Sequence, residues 1–289
     1  MGSGRSTGLN IKNFIDLVRL EQTLFALPFA YLGVIAGAGG VPEFSIWFWV
    51  TLAMFGARTA GMSLNRIIDM DLDGKNPRTA GRLLPSGKIT KNKVWLITFL
   101  SLALLVFSSW MLNPLCFKLS PVAVILLWFY SYCKRFTWAT HLVLGLVESA
   151  APIGGWLAVT GEWNITPFFL GSAIIFWMTG LDIIYACQDY EFDRKERIFS
   201  IPANFGLERA LFISSFSHIL TVFFLIVFGI AVKLGIIYYC GVTLTGMLFI
   251  YEHRLINPAD LKHVNRAFFT VNSWISIVIF IFTLGDILL

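Results

Sequence analysis

Charge is what this chain has least of. Only 13% of its 289 residues are Asp, Glu, Lys or Arg, whereas about a quarter is usual in a soluble domain. That shortage excludes an ordinary water-soluble fold. Cysteine is also sparse: Cys116, Cys133, Cys187 and Cys240 stand apart, with no CxxC pair. This excludes a disulfide framework, a zinc ribbon or a thiol redox motif. The four histidines, at 141, 218, 253 and 263, are single, without metal-ligand spacing or a neighbouring nucleophile motif, and structural or interfacial roles are expected of them. Polar stretches long enough to fold on their own are missing too, which leaves no room for a sizeable extramembrane domain.

What fills the chain is apolar. Hydrophobic residues make up 57% and aromatic residues 16%, and the mean hydropathy is +0.74, the profile of an integral membrane protein. A helix needs about 20 apolar residues to cross the hydrocarbon core. Candidate spans lie near residues 24–42, 44–64, 94–112, 119–135, 139–160, 164–186, 210–232, 234–251 and 267–286. The expected architecture is therefore all-α and polytopic, with nine transmembrane helices. Residues 1–23 read as an N-terminal arm and 24–289 as a single membrane domain. The Gly/Ser-rich first ten residues and the uninterrupted run from Leu24 to Pro42 suggest a retained first helix rather than a cleaved signal.

Basic residues set the expected orientation. Nineteen of the 22 Lys and Arg residues fall on one side, in the N-terminal arm, the Lys134-Arg135 pair and the connections 65–93, 187–209 and 252–266. Only Lys118 and Lys233 fall on the other, and Arg58 lies inside a span. The positive-inside rule places the N-terminus and all long connections in the cytoplasm and Leu289 outside, with a bacterial inner membrane as the expected location. The net charge of +5 then records topology, and no nucleic-acid partner is expected.

The acids are gathered rather than scattered. Asn65, Asp69 and Asp73 recur every four residues, so on a helix each is turned about 40° from the last and the three form one oxygen-rich stripe. Arg58 lies seven residues before Asn65, near the same meridian. A second stripe, about 120 residues on, holds Asp182, Asp189 and Asp193 with Tyr185 beside them. Each is followed by a basic Gly/Pro connection, GKNPRTAGRLLPSGK and RKERIFSIPANFG. This weak repeat suggests two four-helix halves and a ninth helix around a central cavity, with a site between the halves.

Acids facing one another in a membrane repel and are costly. Hard oxygen donors of this kind suit Mg2+, which keeps several waters and is often completed by substrate phosphates. A diphosphate bridged by Mg2+ between the stripes would satisfy the charges. Arg58 has a fork suited to a carboxylate or diphosphate; its alternative role is an internal ion pair with an acid such as Glu148. Tyr130 and Lys134, one turn apart, either present an OH and an ammonium to the same site or belong to an aromatic belt with a snorkelling Lys. Lys75, Arg78, Arg82 and Lys88 include candidate diphosphate ligands among ordinary inside-positive charges, and Arg19, just before the first span, is equally open. A cation-coupled transporter would also want intramembrane acids and repeats. Here, however, the acids lie at helix mouths and no Gly/Pro-interrupted midplane helices are evident.

The motifs Asn65-x3-Asp69-x3-Asp73, Pro77-Arg78-Thr79, Leu84-Pro85-Ser86-Gly87 and Asp182-x2-Tyr185-x3-Asp189-x3-Asp193 resemble those of the UbiA superfamily of intramembrane aromatic prenyltransferases. The resemblance spans nearly the whole chain. Within the superfamily it is most similar to enzymes that prenylate 4-hydroxybenzoate, and to those that prenylate a dihydroxynaphthoate in the futalosine route to menaquinone; a haem or chlorin acceptor is a further option. It implies that Asn65, Asp69, Asp73, Asp189 and Asp193 hold Mg2+ and the diphosphate of a polyprenyl donor. Arg58 would contact the acceptor's carboxylate or the diphosphate, Tyr130 and Lys134 would help close the site, and an acid such as Asp182 or Asp189 would take the ring proton. One position departs from the usual Asn-Asp-x2-Asp-x3-Asp pattern, because Arg66 stands where the second Asp is expected.

Overall fold

The computed structural model describes residues 11–18, 20–258 and 261–289, with side chains from residue 13 except those of 19–25. The first ten residues and Arg19 lie outside the described residues. Among the described residues there is no β-strand, and the helices run in the order α1 (Ile11–Val18), α2 (Leu20–Ala38), α3 (Phe44–Ile68), α4 (Met70–Lys75), α5 (Lys91–Leu112), α6 (Pro114–Cys133), α7 (Thr140–Thr160), α8 (Thr166–Ala186), α9 (Tyr190–Glu196), α10 (Ile201–Phe205), α11 (Leu207–Val232), α12 (Ile236–Leu255) and α13 (Asn272–Leu288). A 3-10 turn at Cys187–Asp189 joins α8 to α9, and a π-helical segment at Arg266–Val271 leads into α13. Nine long helices, α2, α3, α5 to α8 and α11 to α13, match the nine expected segments in order. Among the described residues six segments are long and apolar enough to cross a membrane, running through α5, α6, α7, α8, α11 and α13.

Their outward faces explain the composition. Phe99, Leu100 and Trp110 on α5 and Phe212, Ile219 and Phe223 on α11 are all exposed. A bundle without a polar coat belongs in lipid. Small residues let the helices approach closely. A Cβ on Gly33 of α2 would lie 2.0 Å from the Pro152 carbonyl oxygen on α7, and one on Gly155 of α7 would lie 2.2 Å from the Ala30 carbonyl oxygen on α2. Both contacts are to backbone, so no side-chain movement would relieve them.

The fourth segment begins earlier than hydropathy suggests, at Pro114. Pro is favoured in the first turn because its missing N–H would be unpaired there anyway, and Asn113 caps the end by accepting the Cys116 N–H at 2.9 Å. The same amide donates to the carbonyls of Leu157 at 2.8 Å and Ala158 at 3.2 Å, tying the start of α6 to the end of α7. Part of the expected N-terminal arm is also folded. Leu17 and Val18 of α1 are buried with Ile67, Leu84, Ile89 and Val94, so α1 packs on the connection that follows the first acidic stripe.

Candidate active site

Neither acidic stripe lies on one unbroken helix, as a strict four-residue period implies. Helix α3 ends at Ile68, and Asp69 sits between it and α4 with φ −92° and ψ 4°. Asp189 ends the 3-10 turn and caps α9 with φ −99° and ψ 7°. The i to i−4 backbone bonds survive the first break, Asp69 N–H to Asn65 at 2.9 Å and Asp73 N–H to Asp69 at 2.7 Å. The side chains therefore stay in register while the chain turns inward.

Asn65, Asp69, Asp73, Asp189 and Asp193 line one polar cavity of about 160 Å³, together with Arg78, Tyr130 and Lys134. Asp182 is the exception: it lines a second, larger cavity of about 510 Å³ whose walls are mainly apolar and which also holds Arg58, Glu148 and Tyr185. The break after Cys187 turns Asp189 and Asp193 away from it. Asn65, Arg82 and Tyr130 line both cavities, so a charged chamber adjoins an apolar one.

Each acid of the small chamber has a partner drawn mostly from the basic connections. Asp69, 1% exposed, receives Lys134 Nζ on Oδ2, accepts Asn65 Nδ2 there at 2.9 Å, and has Arg135 Nη1 3.1 Å from Oδ1. Arg82 Nη1 donates to both oxygens of Asp73 at 2.6 and 2.8 Å. Arg66 Nη1 lies 3.8 Å from the same carboxylate; the residue at the departing motif position thus turns its charge toward the stripe. Asp189 takes Arg78 in a two-pronged pair, plus Asn76 Nδ2 at 2.8 Å, and Arg78 Nη1 donates to the Tyr185 hydroxyl at 2.9 Å. Although burial works against its charge, the hydrogen bonds and the field of Asp189 hold the Arg78 guanidinium above its ordinary pKa. Asp193 accepts the Ser200 hydroxyl at 2.9 Å.

The donor set fits Mg2+. Four carboxylates and the amides of Asn65 and Asn76 bring hard oxygen to one small cavity, and Asp69 Oδ1 is buried without a hydrogen bond. Among the described residues no three acids, histidines or cysteines converge into a cage.

Arg58 pairs with Glu148, the partner foreseen in its alternative role. Tyr130 and Lys134 do face one site, the small chamber. Two participants escaped the sequence reading. Asn76 had a signal in the turn-forming Asn76-Pro77 step. His141, hydrogen-bonded to Asp182 at 2.7 Å, had none, since 41 residues and a helix reversal separate them.

The family model for the UbiA prenyltransferase family matches residues 26–274. A 4-hydroxybenzoate octaprenyltransferase of Vibrio campbellii is 33% identical over 279 residues, covering 93% of this chain and 95% of the relative. Another, of Francisella tularensis subsp. novicida, is 30% identical over 275 residues, covering 94% and 96%. Among solved structures, the apo form of a UbiA homolog from Aeropyrum pernix K1 superposes with a TM-score of 0.85 at 31% identity, covering 93% of this chain and 98% of that one. A UbiA homolog from Archaeoglobus fulgidus bound to GPP and Mg2+ shares the fold, with a TM-score of 0.72 at 21% identity over 96% of this chain and all of that one.

Proposed function

The chain belongs to the UbiA prenyltransferase family, and we propose that it moves a polyprenyl group from polyprenyl diphosphate onto a ring carbon of 4-hydroxybenzoate. The observation that carries this reading is the junction of the two cavities. A charged chamber of about 160 Å³ suits a diphosphate, and the apolar cavity of about 510 Å³ beside it suits a hydrocarbon tail and an aromatic acceptor. The names of the relatives from Vibrio and Francisella favour 4-hydroxybenzoate over a naphthoate.

Asn65, Asp69, Asp73, Asp189 and Asp193 would hold Mg2+ in this reading, and the metal would supply positive charge to the leaving diphosphate. Lys134 and Arg78, paired with Asp69 and Asp189, line the same chamber and would offer their charge to diphosphate oxygens there. Tyr130 stands where the two cavities meet and separates charged head from reacting carbon. Departure of the diphosphate leaves an allylic cation, which the electron-rich carbon beside the phenolic OH attacks; loss of a ring proton restores aromaticity. Arg58 and Tyr185, on the wall of the larger cavity, receive the acceptor.

The same reading extends to the whole bundle. All nine long helices cross the membrane as one domain from residue 24, with the charged chamber and N-terminus cytoplasmic and Leu289 outside. The test is an acceptor screen with purified protein, Mg2+ and a fixed polyprenyl diphosphate. Prenylated 4-hydroxybenzoate is the expected product. Prenylation of a dihydroxynaphthoate alone would move the acceptor assignment, and no prenylated aromatic acid would overturn it.

A further inference from the structure

Asp182 differs from every acid of the charged chamber. Those acids meet Lys, Arg or Ser, whereas its Oδ2 lies 2.7 Å from Nδ1 of an imidazole, His141. The Asp182 side chain keeps 23% exposure and the imidazole only 3%. The carboxylate opens on the apolar cavity that Tyr130 of α6, Arg58 of α3, Glu148 of α7 and Tyr185 of α8 also line. Glu148, the other acid there, is occupied by Arg58.

The second imidazole nitrogen decides the protonation pattern. Nε2 of His141 accepts the backbone N–H of Ile201 at 3.2 Å, so a neutral ring carries its one proton on Nδ1. His141 therefore donates to Asp182 and holds the orientation of its carboxylate. Ile201 opens α10 next to Ser200, whose hydroxyl donates to Asp193. One turn thus fixes the imidazole and anchors an acid of the neighbouring chamber.

Resting on the prenyl-transfer reading above, we propose that Asp182 takes the ring proton of the acceptor, and that His141 is the positioning residue that aims Asp182. After the allylic carbon bonds to the ring, that ring carbon holds both the new C–C bond and its hydrogen. The C–H bond breaks, its electron pair restores the aromatic ring, and the proton passes to a carboxylate oxygen of Asp182. The diphosphate has already left with the C–O electron pair, so no oxidant or further reactant is needed.

The test uses full-length protein and 4-hydroxybenzoate deuterated at both carbons beside the hydroxyl. In the wild type, ionisation of the donor limits the rate and deuteration changes nothing. In Asp182→Asn, turnover falls about 100-fold, the scale of a lost general base, and a primary isotope effect emerges while the donor KM holds. His141→Leu moves the same way. His141→Asn, whose amide reaches the Nδ1 position, recovers most of the rate and loses the isotope effect, which a merely structural role would not produce. Wild-type turnover in Asp182→Asn, or slow turnover without an isotope effect in it, overturns the proposal, and this arm stands even where His141→Leu fails to fold. A wild type that prenylates no aromatic acid instead overturns the underlying prenyl-transfer reading.

Discussion

Asp69 and Asp189 break their helices in nearly the same backbone conformation, φ −92° and ψ 4° at the first and φ −99° and ψ 7° at the second. Few residues adopt this bridge region, and it recurs at active sites. The two acids come from opposite halves of the chain, yet each ends one helix and starts a short one, and each is gripped by a cation from a distant segment, Lys134 for Asp69 and Arg78 for Asp189. The weak sequence repeat thus reappears as matched backbone geometry on two sides of one cavity.

Replacing either acid with alanine is expected to stop transfer while leaving the protein inserted and folded. Each acid touches the charged chamber and the cations around it rather than the apolar core. Loss of one charge-stabilising group costs about 10²- to 10³-fold in rate, and more where a metal ligand is lost with it. Product formation from labelled donor, alongside a melting curve, checks both halves of the expectation. Retained activity in Asp69→Ala or Asp189→Ala would remove these acids from the chemistry.

Mg2+ alone should do little for stability, because the ion dehydrates reluctantly and is usually held by few carboxylates until substrate phosphates join them. Mg2+ together with the donor diphosphate should raise the melting temperature, since the phosphate oxygens complete the ion's shell. At a hundred times the dissociation constant the gain is about 2.7 kcal/mol. Chelation should abolish turnover, and added Mg2+ should restore it. Strong stabilisation by Mg2+ without donor would mean that a complete protein cage exists after all.

How much of this was legible beforehand follows from how each feature is encoded. Hydropathy reports runs of apolar residues, so nine long helices could be read off, six of them within segments long and apolar enough to cross a membrane, with the start at Pro114 displaced because Leu115 and Cys116 precede the evenly apolar stretch. Helical period reports shared faces, and it grouped Asn65, Asp69 and Asp73 correctly. It also assumed that each helix continues, and so placed Asp182 with Asp189 and Asp193, whereas the 3-10 turn at Cys187–Asp189 sends them to different cavities. The Arg58–Glu148 pair was foreseen because a charge inside a span demands a partner. His141 and Asp182 meet only through the packing of α7 on α8, which no local pattern encodes.

Gly33→Ala is expected to destabilise the bundle by about 1–3 kcal/mol, the usual cost of overpacking. Its Cβ would lie 2.0 Å from the Pro152 carbonyl oxygen, and only a shift of α2 against α7 relieves that. Gly246→Ala is the control. A Cβ there meets Val222 Cγ2 at 3.8 Å, an ordinary contact, and alanine gains helix propensity. Thermal melts in detergent should separate the two, and equal melting temperatures would refute the close α2–α7 crossing.

Arg58 and Glu148 test whether a half-buried ion pair is scaffold, substrate contact or both. Their side chains are 18% and 12% exposed, dry enough that removing one leaves the other charged group poorly compensated. Arg58→Leu should therefore cost about 3–5 kcal/mol, and the double variant Arg58→Leu/Glu148→Leu should recover most of it, because an apolar pair needs no compensation. If Arg58 also receives the acceptor's carboxylate, the recovered fold will not recover function. The double variant will melt like the wild type and keep its donor KM, yet show an acceptor KM raised about 10-fold or more, the scale of one lost charge-assisted hydrogen bond. A double variant normal in both stability and acceptor KM would assign Arg58 to the scaffold alone.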